Sequence, residues 1–353
     1  MRTRLAILGL ILTQAVAFYS NASAHPGSGI VVDKNGNVYF IHSRVGVAKI
    51  SFDGKFSYIH KATDGHWMCL DEQGIFSRTQ PKYFERITPD GVQPAIIYAG
   101  GGSPIAISSD GNFYYCGSPK GDLHPGAKTL VRETLAKQQS VFSPTLENIL
   151  NGLQDGITGL SASPDGSLYV ACWNSLLKVT MDGRVTTLVH PVVVSDCDED
   201  PADHKDTNRG IPLLRGIAVD SSEVVYVAAT SCHCLLKIGP GGKVNTILKA
   251  ERPWTPTGVA VLNGDIYVLE YTNANGPATE GWFPRVRKLG KDGKVTLLVD
   301  LTVKPITRNN LATAFPCTGV FKACLYGVLA FPAINDFLLL LLLFSKIGNH
   351  SEV

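Results

Sequence analysis

The chain has 353 residues, 44% of them hydrophobic and 18% charged, with a formal net charge of +2. That balance excludes the large basic surface of a dedicated nucleic-acid or acidic-membrane binder. With 35 Gly and 20 Pro, it supplies both a sizeable core and many tight turns.

At the N-terminus, Arg2 and Arg4 precede an apolar run over 5–18, and Ala22-Ser23-Ala24 matches a small-residue cleavage pattern. Residues 1–24 are therefore predicted to be a signal peptide, with the mature chain beginning near His25. The run is short for a bilayer span. The protein is expected to be exported: periplasmic, extracellular or at the cell surface. All eight cysteines follow the cleavage point, where an oxidising compartment permits disulfides.

From Gly29 one phrase repeats six times: GIVVDKNGNVYF (29–40), MCLDEQGIF (68–76), IAISSDGNFYY (105–115), GLSASPDGSLYVA (159–171), GIAVDSSEVVYVA (216–228) and GVAVLNGDIYVL (258–269). Period-2 alternation broken by Asp-Gly or Asn-Gly predicts a β-hairpin, and self-similarity at this spacing predicts a repeat architecture. An aromatic closes each second strand: Tyr39, Phe76, Tyr114, Tyr169, Tyr226 and Tyr267. Third strands are predicted at 47–52, 85–89, 129–133, 176–181, 235–240 and 286–291. Fourth strands such as VTTLV (185–189), VNTIL (244–248) and VTLLV (295–299) close the units. The chain is thus expected to be all-β, a six-bladed β-propeller of four-stranded antiparallel blades over residues 25–305.

Two insertions interrupt the period: one near 133–155, where TLENILNGL predicts a short helix, and one at 190–212. In an antiparallel meander, blade-to-blade loops and the loops from second to third strands lie at one end, and the Asp-Gly turns at the other. Both insertions, with the long loop 271–284, therefore share one face, and loops on a rigid scaffold carry function. Residues 306–353 form an atypical tail. Its apolar segment 323–344 is long enough to span a bilayer, though Pro332 and Asn335-Asp336 interrupt it.

Candidate site residues follow from this placement. Arg215 begins an innermost strand at the central mouth, where it can clamp a carboxylate or phosphate or pair with the acidic insertion. Glu270 ends the last regular second strand and can serve as a general base or anchor its own loop; Glu270 and Arg215 are the catalytic candidates. Trp173, Asn174, Thr230 and Tyr271 at second-strand ends, with His66 at the start of an inner strand, are the ligand-binding candidates. Trp67 reads as a residue packed between blades. Asp196, Asp198 and Asp200 alternate as in the front of a calcium loop, without that loop's Gly and terminal Glu; the other reading is a solvated acidic loop. Cys197 is expected to pair with Cys232 or Cys234, and Cys69 and Cys172 to be buried thiols. The Cys232-His233-Cys234 tripeptide is a weaker hint of metal.

The phrases GIAVD…VYVAAT…LLKIGPGGKV and PTGVAVLNGDIYVLEYT…RVRKLGKDGKV resemble NHL-repeat propellers and, more loosely, the regucalcin/gluconolactonase type. The likeness runs from Gly29 to about Leu301. It implies the six-bladed fold and names no substrate. Gluconolactonases hold an axial divalent cation on Glu, Asn and Asp near the starts of their innermost strands. The matching positions here read Ser28-Gly29, His66-Trp67, Ser103-Pro104, Thr158-Gly159, Arg215-Gly216 and Thr257-Gly258. None is a carboxylate or carboxamide, so this resemblance brings no cation site with it. NHL propellers also include a lyase of peptidyl-α-hydroxyglycine with a His-rich zinc site; His66, His42 and His233 are the histidines placed near the corresponding face.

The expected function is binding of a small molecule, glycan or peptide on the long-loop face by a monomer with no nucleic-acid partner. A membrane enters only if 323–344 is an anchor. The alternative is a metal-assisted, lactonase-like hydrolase or lyase at the propeller mouth, using calcium or zinc.

Overall fold

The computed structural model describes residues 26–61, 65–71, 84–88, 95–100, 102–118, 127–153, 155–195, 197, 212–273 and 282–302. The chain folds as a six-bladed β-propeller of antiparallel blades. Five blades show four strands paired in chain order from the axis outward. The innermost strands are Ile30–Val32, Gly65–Asp71, Ile105–Ile107, Ile157–Ala162, Leu214–Val219 and Thr255–Leu262. Each touches the next, and the sixth touches the first, so they close a ring about the axis.

The repeated Asp and Tyr are one local device. Asp33 Oδ1 accepts hydrogen bonds from the N–H groups of Asn35 and Asn37, both at 2.9 Å, and its Oδ2 accepts from the Tyr39 hydroxyl at 3.1 Å. Blade five repeats this: Asp220 accepts from Ser222 and Val224 N–H at 2.8 and 3.0 Å, and from the Tyr226 hydroxyl at 3.2 Å. The carboxylate closes the turn as an Asx motif, and the phenol pins the returning strand. Lys49, Lys178 and Lys288, opposite on the third strands, lie over the rings of Tyr39, Tyr169 and Tyr267 at 5.7, 5.5 and 5.6 Å, within cation–π range.

Alternation sends successive side chains to opposite neighbours. Val31, Tyr39 and Ile41 pack on Met68 and Ile96 of blade two. Ile30, Val32 and Phe40 pack on Ala260, Tyr267 and Leu269 of blade six. The core is therefore a set of wedges between blades, each filled from two sides.

The leading glycine of the phrase has a tertiary cause. A Cβ at Gly159 would sit 2.1 Å from Arg215 O, at Gly216 2.6 Å from Thr257 O, and at Gly258 2.3 Å from Ser28 O. These distances leave no space for a side chain, because each blade's inner strand abuts the backbone of the next.

Closure uses no exchanged strand: the first blade lies wholly within 30–61 and the sixth within 255–300. The Thr257 hydroxyl donates to Gly27 O at 2.8 Å, and Ser43 N–H donates to the Tyr271 hydroxyl at 3.3 Å. That hydroxyl in turn donates to Ile41 O.

Blade two departs from expectation. Its described strands run in the order 65–71, 95–100, 84–87, so Ala95–Gly100 takes the place beside the inner strand that the alternation assigns to the segment closing on Phe76. The physical reason is burial. Ala95, Ile96, Ile97 and Ala99 are fully buried, and a continuous apolar run suits a strand covered on both faces. Phe76 lies outside the described residues.

The helix in the first insertion is present as Pro144–Leu153, with Leu146 and Leu150 buried. Ser143 Oγ caps it by accepting from Leu146 N–H at 3.2 Å, and Pro sits at its first turn, where a missing N–H costs nothing. Among the described residues no helix is long and apolar enough to cross a membrane. The leader 1–24 and the apolar segment 323–344 lie outside the described residues.

Candidate functional site: the axial channel and its polar ring

Three consecutive residues from each inner strand wall a channel of about 250 Å³ on the axis: 30–32, 68–70, 105–107, 160–162, 217–219 and 259–261. Ser161 carries the one hydroxyl among them and Cys69 the one thiol. Cys69 is thus half-buried at the channel wall rather than enclosed in a strand interior as expected, while Cys172 is a buried thiol. Because most of these side chains wedge between blades, the strands also turn their unpaired edge N–H and C=O groups toward the axis.

Two residues before each triad stands a second ring: Ser28, His66, Ser103, Thr158, Arg215 and Thr257. Strand register slips at Gly65/Trp67, Ile157/Gly159, Leu214/Ile217 and Pro256/Gly258. His66, Thr158, Arg215 and Thr257 therefore fall in bulges, which re-aim side chains. Six buried side-chain polar atoms among the described residues lack a hydrogen-bond partner, and three belong to this ring: Ser28 Oγ, Ser103 Oγ and Thr158 Oγ1. Buried polar groups are ordinarily paired, so this concentration is unusual. Sequence reading passed over these hydroxyls, seeing at their positions only the absence of metal ligands. The available signal was their constant offset from the apolar triad.

Arg215 makes no hydrogen bond or ion pair among the described residues. Burial lowers its guanidinium pKa to about 10, partly offset by the nearby Tyr271 phenol. Tyr271 is buried in the seam between blades six and one, and burial pushes its phenol well up.

The remaining predicted residues are spread around the same face. Glu270 is fully buried; its carboxylate accepts from Arg285 Nε at 2.5 Å, from Arg287 Nε at 2.8 Å and from Arg287 Nη2. Arg285 also stacks over the Trp254 ring at 4.2 Å. Two guanidinium groups thus occupy the carboxylate and tie the second strand of blade six to its third. The Thr230 hydroxyl donates to Pro256 O at 3.2 Å, bridging blades five and six. Trp173 is 41% exposed; its backbone N–H donates to Asp155 Oδ1 at 2.8 Å. The Asn174 carbonyl accepts from Val192 N–H at 2.7 Å, anchoring the start of the second insertion. His66 O accepts from the N–H groups of Ser28 and Gly29, both at 2.8 Å. His42 shares a 2.6 Å hydrogen bond with the Tyr58 hydroxyl, and burial lowers its pKa to about 4. His233 Nδ1 donates to Trp254 O at 2.9 Å. Trp67 is buried, as its packing role requires, and its indole N–H donates to Gly102 O at 3.1 Å.

Asp155 is a buried carboxylate that sequence reading missed. It accepts from Trp173 and Gly156 N–H and, at 3.0 Å, from the Ser175 hydroxyl, which also lies 2.9 Å from His190 Nδ1. Ser175 is fully buried and sits between the acid and the imidazole. The arrangement anchors a loop, since a nucleophile needs access and an imidazole between it and the acid.

Cys197 and Cys232 form a disulfide with Cα atoms 4.6 Å apart, so of the two expected pairings Cys232 is the partner. It staples the second insertion to blade five. Asp196, Asp198 and Asp200 lie outside the described residues. Among the described residues no group of three or more His, Cys, Asp or Glu comes together to hold a metal ion.

Compared by sequence, the chain matches no protein-family model and no curated protein. Compared by structure, it is similar to virginiamycin B lyase from Staphylococcus aureus, at 14% identity and a TM-score of 0.45 over 81% of this chain and 87% of that one. It is similar to a luciferin-regenerating enzyme at 16% identity and a TM-score of 0.47, covering 79% of this chain and 95% of the other. An auxiliary nutrient binding protein from Bacteroides thetaiotaomicron gives 12% identity and a TM-score of 0.45, with 69% and 66% covered. No residue role is carried over from proteins at this distance.

Proposed function

We propose that the chain is an exported β-propeller that binds a small molecule, glycan or peptide on its long-loop face, with the ligand seated in the mouth of the axial channel. The observation that carries this reading is the channel itself: about 250 Å³, walled by all six blades. A concavity of this size is the usual form of a small-molecule site, and the strand-edge N–H and C=O groups that face the axis can pair with polar atoms of a ligand. The six-fold wall also explains why the blades are regular at the axis while their connections are idiosyncratic: scaffold and selectivity are carried by different segments.

The test is a thermal-melt screen of the full chain against sugars, short peptides and small organic molecules, repeated on Ser161→Phe, which fills the channel from its one hydroxyl-bearing wall position. A ligand at one hundred times its Kd stabilises the native state by ~2.7 kcal/mol. The expected result is a saturable rise in melting temperature that Ser161→Phe abolishes. A ligand that stabilises Ser161→Phe as well as the parent would place binding elsewhere and end this reading.

A further inference from the structure

We propose that His190, at the rim of blade four, is a general base: held with its proton on Nδ1 by Asp155 and Ser175, it takes a second proton at Nε2 from the hydroxyl of water or of an alcohol. The site is separate from the axial channel and does not depend on a ligand being bound there.

The proton positions follow from the partners. The Asp155 carboxylate only accepts. Its Oδ1 receives the backbone N–H groups of Gly156 and Trp173 at 2.9 and 2.8 Å. Among the described residues its Oδ2 has one donor, the Ser175 hydroxyl at 3.0 Å. Asp155 and Ser175 are 5% and 0% exposed, and a buried carboxylate oxygen left without a donor is costly. The single hydroxyl proton therefore goes to Asp155. Sharing it with Asn174 Oδ1, at 3.2 Å, leads to the same result. Toward His190 Nδ1, 2.9 Å away, Ser175 Oγ presents only lone pairs, so Nδ1 carries the ring proton. The other nitrogen of a neutral imidazole is then an acceptor. Nε2 has no partner among the described residues.

This relay crosses blade four from axis to rim. Asp155 stands just before the innermost strand, Ser175 just before the third and His190 just after the fourth. The acid and the hydroxyl are buried, whereas His190 is exposed. Anchoring the loop uses only Nδ1 and leaves the basic nitrogen free. A base oriented by further groups behind it is the arrangement that proton abstraction requires. Protonation at Nε2 also keeps every bond of the relay, because an imidazolium still donates from Nδ1, with the Asp155 charge behind the hydroxyl. Apolar surface lies alongside. Val192 N–H donates to Asn174 O at 2.7 Å, which sets 192–193 beside 173–174, and Trp173 and Val193 are both exposed. An exposed indole gives an organic substrate a surface to stack on.

The experiment takes two readings on the full chain. Heteronuclear NMR of the neutral imidazoles, with His190→Gln to assign the resonance, should show His190 protonated at Nδ1. Asp155→Asn should move that proton to Nε2, because the carboxamide nitrogen now donates to Ser175 Oγ and frees its proton for Nδ1. The second reading is turnover of p-nitrophenyl acetate. Nε2 takes a proton from water as the water oxygen bonds to the carbonyl carbon. Nitrophenolate leaves with the bonding pair, acetic acid is released, and Nε2 returns its proton to solvent. The expected result is steady release above buffer without a burst, falling about tenfold or more in His190→Gln and in Asp155→Asn. Adding glycerol and looking for its acetate ester tells an alcohol from water as the proton donor, and either product supports the base. Should Asp155→Asn not fold, the tautomer of the parent and His190→Gln decide. The proposal is overturned by a parent proton on Nε2, by no turnover above buffer, or by turnover that His190→Gln leaves unchanged. It is equally overturned by an Asp155→Asn variant that keeps tautomer and rate, or by a nitrophenolate burst equal to the protein, which makes the ring a nucleophile. None of these outcomes bears on the channel, so the two readings stand or fall separately.

Discussion

Four blades lead their inner strands with glycine, and two do not. Gly159, Gly216, Gly258 and Gly29 form one arc through blades four, five, six and one: at the first three a Cβ would meet the next blade's backbone within 2.6 Å, and at Gly29 it would meet the Ile41 and Met68 side chains first. Blades two and three carry Trp67 and Pro104 at the same position. There the gap is crossed by a side chain, the Trp67 indole donating to Gly102 O, and there the second blade changes its strand order. A backbone-to-backbone contact tolerates no substitute, whereas a side-chain bridge leaves the adjoining blade freer to rearrange. Arg215 and two of the partnerless hydroxyls, Ser28 and Thr158, lie on the glycine arc, where position is held most tightly.

This contrast can be broken most directly at Gly159. Gly159→Ala should cost more than about 4 kcal/mol, the range reserved for severe core disruption, and should leave a chain with no cooperative thermal transition. A melting temperature within a few degrees of the parent would show that the arc yields easily. Next in size is Glu270→Ala, which strands two guanidinium groups between blades five and six. The expected loss is about 3–5 kcal/mol, read from the urea midpoint. Third is the staple between blade four's outgoing loop and blade five. Cys197→Ser should lower stability by about 3–4 kcal/mol from loop entropy alone, and non-reducing peptide mapping of the parent should recover the Cys197–Cys232 link.

His42, on blade one at the end of the arc, titrates. Its folded pKa of about 4 lies below the ordinary value of 6.5, so the unfolded chain binds the extra proton between those limits. Stability is therefore full above pH 6.5 and is lost as pH falls toward 4, by at most about 3 kcal/mol. Urea midpoints at pH 7 and pH 4.5 should converge in His42→Phe; an unchanged pH slope would assign the acid sensitivity to other groups. The smallest effect belongs to the other arc. Trp67→Phe removes one hydrogen bond while keeping an aromatic body, and about 1–2 kcal/mol is expected. A loss as large as that of Gly159→Ala would erase the distinction between the arcs.

Five of the six blades could be read from the chain because a hairpin is a local object. An apolar alternation, an Asp that closes the turn and a Tyr that returns to it all lie within a dozen residues. The same locality placed the helix at 144–153. It assigned both insertions to one face, but the Ser143 hydroxyl at the helix start donates to Gly183 O at 2.8 Å, in the turn between the third and fourth strands of blade four. That helix therefore begins at the Asp-Gly end and packs along the wedge between blades three and four. Most of 190–212 lies outside the described residues. Local reading narrowed the disulfide to two partners, and geometry chose Cys232. The outcome at blade two was not legible, because which strand lies beside 65–71 depends on competition for a doubly covered position, and 95–100 is the more apolar contender. Nor was the ring. Ser28, Ser103 and Thr158 are ordinary hydroxyls in sequence, and whether each finds a partner depends on neighbouring blades. Periodicity and turn chemistry therefore determined the blades. Close packing about the axis, made between residues far apart in the chain, decided where a glycine is obligatory, which buried hydroxyls are left without a partner, and where a channel opens.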